Sequence, residues 1–174
     1  MSRPETRRPS RTDGNPAHGR SVRRPALAEA DRQLVAHRLA GRLGEVESAL
    51  CAYLFGSFVE GGTFEDVDVA VLLDPDVAAV SDLLAFQLEL AAALEKAAGL
   101  PVDVILLNDA PLGLRMAAVR GRLLLSRDEH RRLAYVEQTC LQAMDMAHMT
   151  RQSLRELLVP GPRKAPEGGT SGAG

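Results

Sequence analysis

Three short apolar runs constrain this chain more than any other feature. Ala49–Phe55 is halted by Gly56; Val67–Leu73 is interrupted by Asp68, with Asp66 just ahead of it; and Val102–Leu107 is interrupted by Asp103. Runs this short, bounded by turn-forming residues, read as buried strands rather than helices. An isolated carboxylate inside such a strand costs several kcal/mol. Three of them ask for a compensating role.

Helical periodicity fills the intervals between the runs. Leu27 to Leu43 reads as an amphipathic helix, with Leu27, Leu34, Val35, Arg38 and Leu39 near helical spacing and Gly41 and Gly44 at its end. Asp74-Pro75-Asp76 reads as a turn. From Val80 to Ala98, residues Leu84, Leu88, Ala91, Leu94 and Ala98 predict a helix lying on a sheet, stopped by Gly99 and Pro101. Asn108-Asp109-Ala110-Pro111 turns into a short helix, and Arg122–Leu125 predicts a fourth, edge strand. The longest helix is expected from Asp128 to Val159, with Leu133, Val136, Cys140, Ala143, Ala147, Leu154 and Leu158 on one face. It also carries Leu141, Met144, Met146 and Met149, more apolar surface than one small sheet covers, which makes it a candidate partner interface or a helix folded back on its own core. The expected class is α+β (α/β): a small mixed sheet of three to four strands flanked by helices, with a long C-terminal helix.

Charge divides the chain. Residues 1–24 carry seven Arg against Glu5 and Asp13, a charge of +5, so the total of −2 leaves residues 25–174 at −7. An acidic body does not bind nucleic acid by bulk charge, and 3% aromatic content leaves few stacking platforms. The arm 1–25 and the tail 160–174 have too few large apolar side chains to offset the entropy of ordering, and are expected to be a disordered basic leader and a disordered tail around one domain, 26–159. Cys51 and Cys140, far apart and each in an apolar stretch, suggest core packing rather than a disulfide framework or zinc site. His37, His130 and His148 lack metal-ligand spacing, and His18 lies in the leader. No apolar run reaches the length of a membrane span, and no secretory segment follows the Arg-rich start, so a cytoplasmic protein without membrane contact is expected.

The carboxylates also have a shared chemistry. Asp66 and Asp68 are two apart, so a strand projects both from one face, where they can bind one cation together. Asp103 joins them if its strand lies alongside. Hard oxygen ligands suit magnesium, which completes its shell with water and substrate phosphates. Gly56-Ser57 directly follows a strand, where backbone N–H groups and a hydroxyl can meet phosphate oxygens, while Gly61 and Gly62 keep the next loop free of bulk.

Leu54-Phe55-Gly56-Ser57 followed by Asp66-Val67-Asp68-Val69-Ala70-Val71-Leu72 resembles the Gly-Ser…Asp-x-Asp signature of the polymerase-beta-like nucleotidyltransferase superfamily, and in particular its minimal-nucleotidyltransferase branch. The likeness extends through Pro101–Pro111, Gly121–Leu125 and Met144-Asp145-Met146, covering about residues 27–158. It implies the polymerase-beta-like fold and an antitoxin that moves AMP from ATP onto a tyrosine hydroxyl of a cognate HEPN ribonuclease toxin, silencing it within a homo- or hetero-oligomer. It further implies that Gly56 and Ser57 bind the triphosphate, that Asp66, Asp68 and Asp103 are the catalytic carboxylates and hold magnesium or manganese, and that Asp103 also helps to deprotonate the incoming hydroxyl. Two other readings fit the same residues: an antitoxin that neutralises by binding alone, and transfer to a small molecule such as an aminoglycoside. The sequence departs from the family in a shorter loop, in Glu60 where a basic residue is common, and in Glu65 where Ser often stands. An acidic Glu60 repels a triphosphate.

Overall fold

The computed structural model describes residues 23–79 and 82–158, so the expectations for most of the leader and for the tail lie outside the described residues. In chain order the elements are α1 (Glu29–Gly44), β1 (Ala49–Phe55), α2 (Ser57–Glu60), β2 (Val67–Leu73), α3 (Pro75–Ala78), α4 (Leu83–Ala98), β3 (Val102–Leu106), α5 (Leu112–Val119), β4 (Arg122–Ser126) and α6 (Glu129–Leu158). All four expected strands form. They make one mixed sheet in the order β3-β2-β1-β4, with β1 antiparallel to both neighbours and β2 parallel to β3. A parallel pair requires a crossover; α4 provides it, and packs on β3 and α1.

Strand alternation distributes the side chains over two apolar layers. Val67, Val69, Val71 and Leu73 of β2, with Val102, Val104 and Leu106 of β3, face α1 and α4, whose Val35, Ala36, Leu39, Leu43, Leu90, Leu94 and Ala98 are buried against them. Tyr53, Phe55, Ala70, Leu72, Leu107 and Ala118 form the smaller layer, with Val119 and Tyr135 packed against it. A bulge between Ala49 and Cys51 lets Leu50 and Cys51 both join this second layer. Burial of each large apolar side chain contributes roughly 1.5–3 kcal/mol, so the pattern of the two layers fixes the register.

Several expectations need correction at the level of faces. In α4, Leu84 and Leu88 are 68% and 63% exposed, whereas Leu90, Leu94 and Ala98 are buried and Leu83 and Phe86 pack against them. The helix is apolar around much of its girth, and Gln87, whose side chain donates to the Val104 carbonyl at 2.5 Å, turns toward the sheet in place of Leu88. In α1, Leu34 is half-exposed and Ala36 and Leu43 are buried. In α6 the inward positions are Tyr135 and Thr139, not Leu133, because the Tyr135 hydroxyl donates to the Leu107 carbonyl at 3.0 Å and Thr139 is fully buried. Asp74-Pro75-Asp76 opens a helical turn, capped by the Asp74 side chain, which accepts from the Asp76 N–H at 3.0 Å. Arg24, assigned by sequence to the leader, pairs its backbone with Phe64. Cys51 and Cys140 are both free, Cys51 buried and Cys140 partly so.

Polar groups tie the edge where β1 begins and β2, β3 and β4 end. The half-buried Asn108 amide continues the sheet there, accepting from the Leu73 N–H and donating to the Leu73 carbonyl, each at 3.0 Å. Asn108→Ala strands both backbone groups, and is expected to cost about 1–3 kcal/mol of stability as a lower urea midpoint at unchanged slope. A midpoint equal to the wild type would show that water replaces the amide without loss.

Candidate functional site

The opposite edge carries the candidate residues. Because β1 runs against β2 and β4, the end of β1 lies beside the starts of β2, β3 and β4. Pairing puts Asp103 beside Asp68 and Asp68 beside Phe55, so these residues form one row across three strands. Asp68 and Asp103 occupy the alternating positions that face away from α1 and α4, on the same side as Phe55, Ala70 and Leu72. Adjacent strands lie about 4.8 Å apart, which places two carboxylates side by side. Asp66 sits in the bend immediately before β2, one step outside the strand in which sequence reading had set it at the edge.

These groups act on one another electrically. Burial, followed by the nearby charges of Asp66 and Asp103, raises the Asp68 carboxyl to about 6 from an ordinary 3.8. Burial and the charge of Asp66 also raise Asp103. Like charges sharing a site without a cation produce this direction of shift. Among the described residues no three Asp, Glu, His or Cys side chains are gathered into a complete metal-binding group, so the trio is not a closed cage. A magnesium ion held by one or two carboxylates and by substrate phosphates does not need one, and an all-oxygen set of half-buried and exposed carboxylates fits such an ion.

Gly56 fits the same picture from the neighbouring strand. It adopts φ +74, and a Cβ built there would overlap the Asp68 carboxylate. Only glycine therefore lets the β1 turn approach this close. Ser57 begins α2 immediately afterwards and is partly exposed. Beyond Gly56 a cleft of about 430 Å³ opens between Val59 and Glu60 of α2 and Ala117 and Arg120 at the end of α5. Its far wall is fixed by Gly121, where a Cβ would overlap the Leu54 carbonyl and stand 2.8 Å from the Phe55 Cβ. Sequence reading singled out the carboxylates and the Gly-Ser turn but not Arg120, which the structure brings to the same cleft. Only the antiparallel pairing of β4 with β1 brings it to this edge, and no local pattern signals that pairing.

Residues 40–130, more than half of the chain, match the family described as Polymerase beta, Nucleotidyltransferase. This chain belongs to the polymerase beta nucleotidyltransferase family. Its fold resembles that of the MNT antitoxin solved in complex with a tri-AMPylated HEPN toxin of Shewanella oneidensis, at 22% identity and a TM-score of 0.55 over 74% of this chain and 99% of that one. It also resembles the toxin–antitoxin MntA–HepT, at 21% identity and 0.54 over 73% and 99%, and a toxin–antitoxin solved with AMP-PNP, at 21% and 0.56 over 71% and 98%. No curated protein matches the chain in sequence. No helix of the described residues is long and apolar enough to cross a membrane.

The raised Asp68 of this nucleotidyltransferase has a thermodynamic consequence. Between about 3.8 and about 6 the folded chain holds a proton on Asp68 that the unfolded chain has lost, so this residue destabilises the fold above that window, and the penalty fades as pH falls through it. In a chelator, Asp68→Asn is expected to melt above the wild type at pH 7.5, with the gap closing toward pH 4.5. Paired thermal melts at the two pH values decide it; an Asn variant less stable at pH 7.5 would contradict the penalty assigned to burial and like charge.

Proposed function

We propose that this nucleotidyltransferase is an antitoxin that moves AMP from ATP onto a tyrosine hydroxyl of a cognate HEPN toxin and thereby silences it. One observation carries the reading above all: Asp68 and Asp103 side by side on parallel strands, with Gly56 drawn against the Asp68 carboxylate. A protein that merely covered its partner would gain nothing from this destabilising arrangement. The folds of an antitoxin beside a tri-AMPylated toxin and of one with AMP-PNP give the choice of nucleotide and acceptor its support.

In this reading Gly56 brings backbone N–H groups, and Ser57 its hydroxyl, to the oxygens of the triphosphate. Asp66, Asp68 and Asp103 supply carboxylate oxygens to magnesium, or to manganese in its place. Bound there, the ion would offset charge on the α-phosphate and ease ionisation of the attacking hydroxyl. The tyrosine oxygen forms a bond to the α-phosphorus as the bond to the bridging oxygen breaks; pyrophosphate leaves, and the hydroxyl proton passes to the Asp103 carboxylate. Its place in the row beside Asp68 sets Asp103 among the groups that would surround the incoming hydroxyl. In-line placement of the hydroxyl would supply much of the remaining acceleration.

The partner surface has its own support. Beyond its contact with α5, α6 exposes Leu141, Met144, Met146, Met149, Leu157 and Leu158, each more than half accessible. Flexible, Met-rich apolar surface of this kind commonly marks a protein partner. The same surface favours the second reading, in which binding alone neutralises the toxin.

Incubation of the purified chain with ATP, magnesium and the toxin encoded beside it is expected to add the mass of one or more AMP units to a toxin tyrosine, and Asp68→Asn to abolish that increment while leaving the complex intact. A stable complex whose toxin mass never changes, with manganese as well as magnesium, would establish the binding-only antitoxin instead.

A further inference from the structure

Glu60 raises a physical difficulty for any triphosphate held at Gly56-Ser57. It closes α2 and lines the cleft beside the phosphate turn, where its charge opposes the ligand. The structure places a cation across that same cleft. Arg120 follows the last residue of α5, is exposed, and stands on the wall facing Val59 and Glu60. Among the described residues no carboxylate pairs with its guanidinium. Its place in the backbone is set by the next residue, Gly121, which is packed onto the Leu54 carbonyl and Phe55 and donates its N–H to the Ala118 carbonyl at 2.9 Å.

We propose that Arg120 binds the outer, leaving phosphates of the nucleotide. The assignment rests on the nucleotide-transfer reading above and follows from the order of groups along one sheet edge. Asp103 stands on β3, Asp68 on β2, the Gly56-Ser57 turn at the end of β1, and Arg120 just ahead of β4. The reacting phosphate lies at the carboxylate end. The chain of phosphates then runs over the glycine turn, and β4 lies roughly 10 Å from β2, two strand spacings away, a distance shared between the phosphate chain and the Arg side chain. A guanidinium is the side chain best shaped for this contact, since its planar fork can donate two parallel hydrogen bonds to phosphate oxygens. Arg120 thus offsets Glu60 and performs, from a different element, the role of the basic residue absent at position 60.

Calorimetric titration of ATP and AMP with magnesium into the full chain, alongside Arg120→Ala, Arg120→Lys and Glu60→Gln, tests the assignment. Arg120→Ala is expected to weaken ATP by about tenfold or more, the loss of a charge-assisted phosphate contact. It should leave AMP, which lacks the outer phosphates, within about twofold, at a melting temperature matching the wild type. Arg120→Lys should recover part of the loss, and Glu60→Gln should tighten ATP. A wild-type protein that binds neither nucleotide would defeat the nucleotide reading itself. A wild type that binds ATP, with Arg120→Ala binding it equally or losing AMP to the same degree, would defeat the role of Arg120 alone.

Discussion

Burial of Asp68 in a row with Asp103, close to the charge of Asp66, is the constraint on which the rest of the site depends. Parallel pairing of β2 with β3 aligns the two residues, and alternation then forces both carboxylates out of the same face. The chain could have avoided the cost by slipping the register one residue, but that would have turned Val67, Val69 and Val71 out of the principal core. The apolar layer under α1 and α4 therefore holds the carboxylates together against their own charge. Stability supplied by one face of the sheet maintains strain at the edge of the other. Such expense is characteristic of sites that bind a cation or a polyanion with its counter-ion, because the bound charge offsets that of the carboxylates.

The two edges of the sheet show how that strain is confined. Where β2, β3 and β4 end, polar groups are matched: Asn108 with the Leu73 backbone, Arg131 with Asp74 at 2.8 Å, Arg127 with the Gly44 and Val46 carbonyls, and Tyr135 with the Leu107 carbonyl. The ion pair among them is solvent-exposed and contributes little by itself. The backbone contacts count for more, since they anchor the start of α6 and the turn after β3. At the opposite edge the carboxylates meet one another, Gly56 gives up its side chain, and Arg120 faces a cleft. Cys51 and Tyr53 lie buried in the intervening layer: burial raises the Cys51 thiol to about 11, and the Tyr53 hydroxyl, which accepts from Arg132 at 3.1 Å, is also raised by burial. A thiol held in its protonated form is packing, not a nucleophile.

Much of this was legible in the sequence because strands announce themselves locally. Ala49–Phe55 and Val67–Leu73 have in the structure the bounds that the apolar runs gave them, and the acidic interruptions Asp68 and Asp103 were visible as violations of those runs. The helices were legible in extent but less so in orientation. α4 contains enough Leu and Ala that several stripes satisfy helical spacing, and which one faces the sheet depends on partners that single-sequence periodicity does not contain. Leu84 and Leu88 lost to Leu90 and Phe86 for that reason. Arg120 was illegible for a different one. It lies in no motif, and its nearness to Gly56 depends on a strand pairing between segments far apart in the chain.

The pairing that hid Arg120 also bears on how the departure from the family's signature at Glu60 is to be weighed. A phosphate turn is built from backbone, so what it requires of the sequence is a glycine at the point of closest approach and little else. Net charge around it can be supplied from any element that reaches the same edge. Here α2 ends in an acid and a base follows the last residue of α5, and the cleft between them is lined by both. Reading the short loop alone would assign this site a repulsive field, whereas reading the sheet edge as a whole gives one in which the unfavourable charge has an opposite neighbour. The unit on which binding electrostatics acts is therefore the row of strand ends rather than the contiguous motif, and a departure from the motif at Glu60 has to be weighed against every residue that the topology delivers to that row.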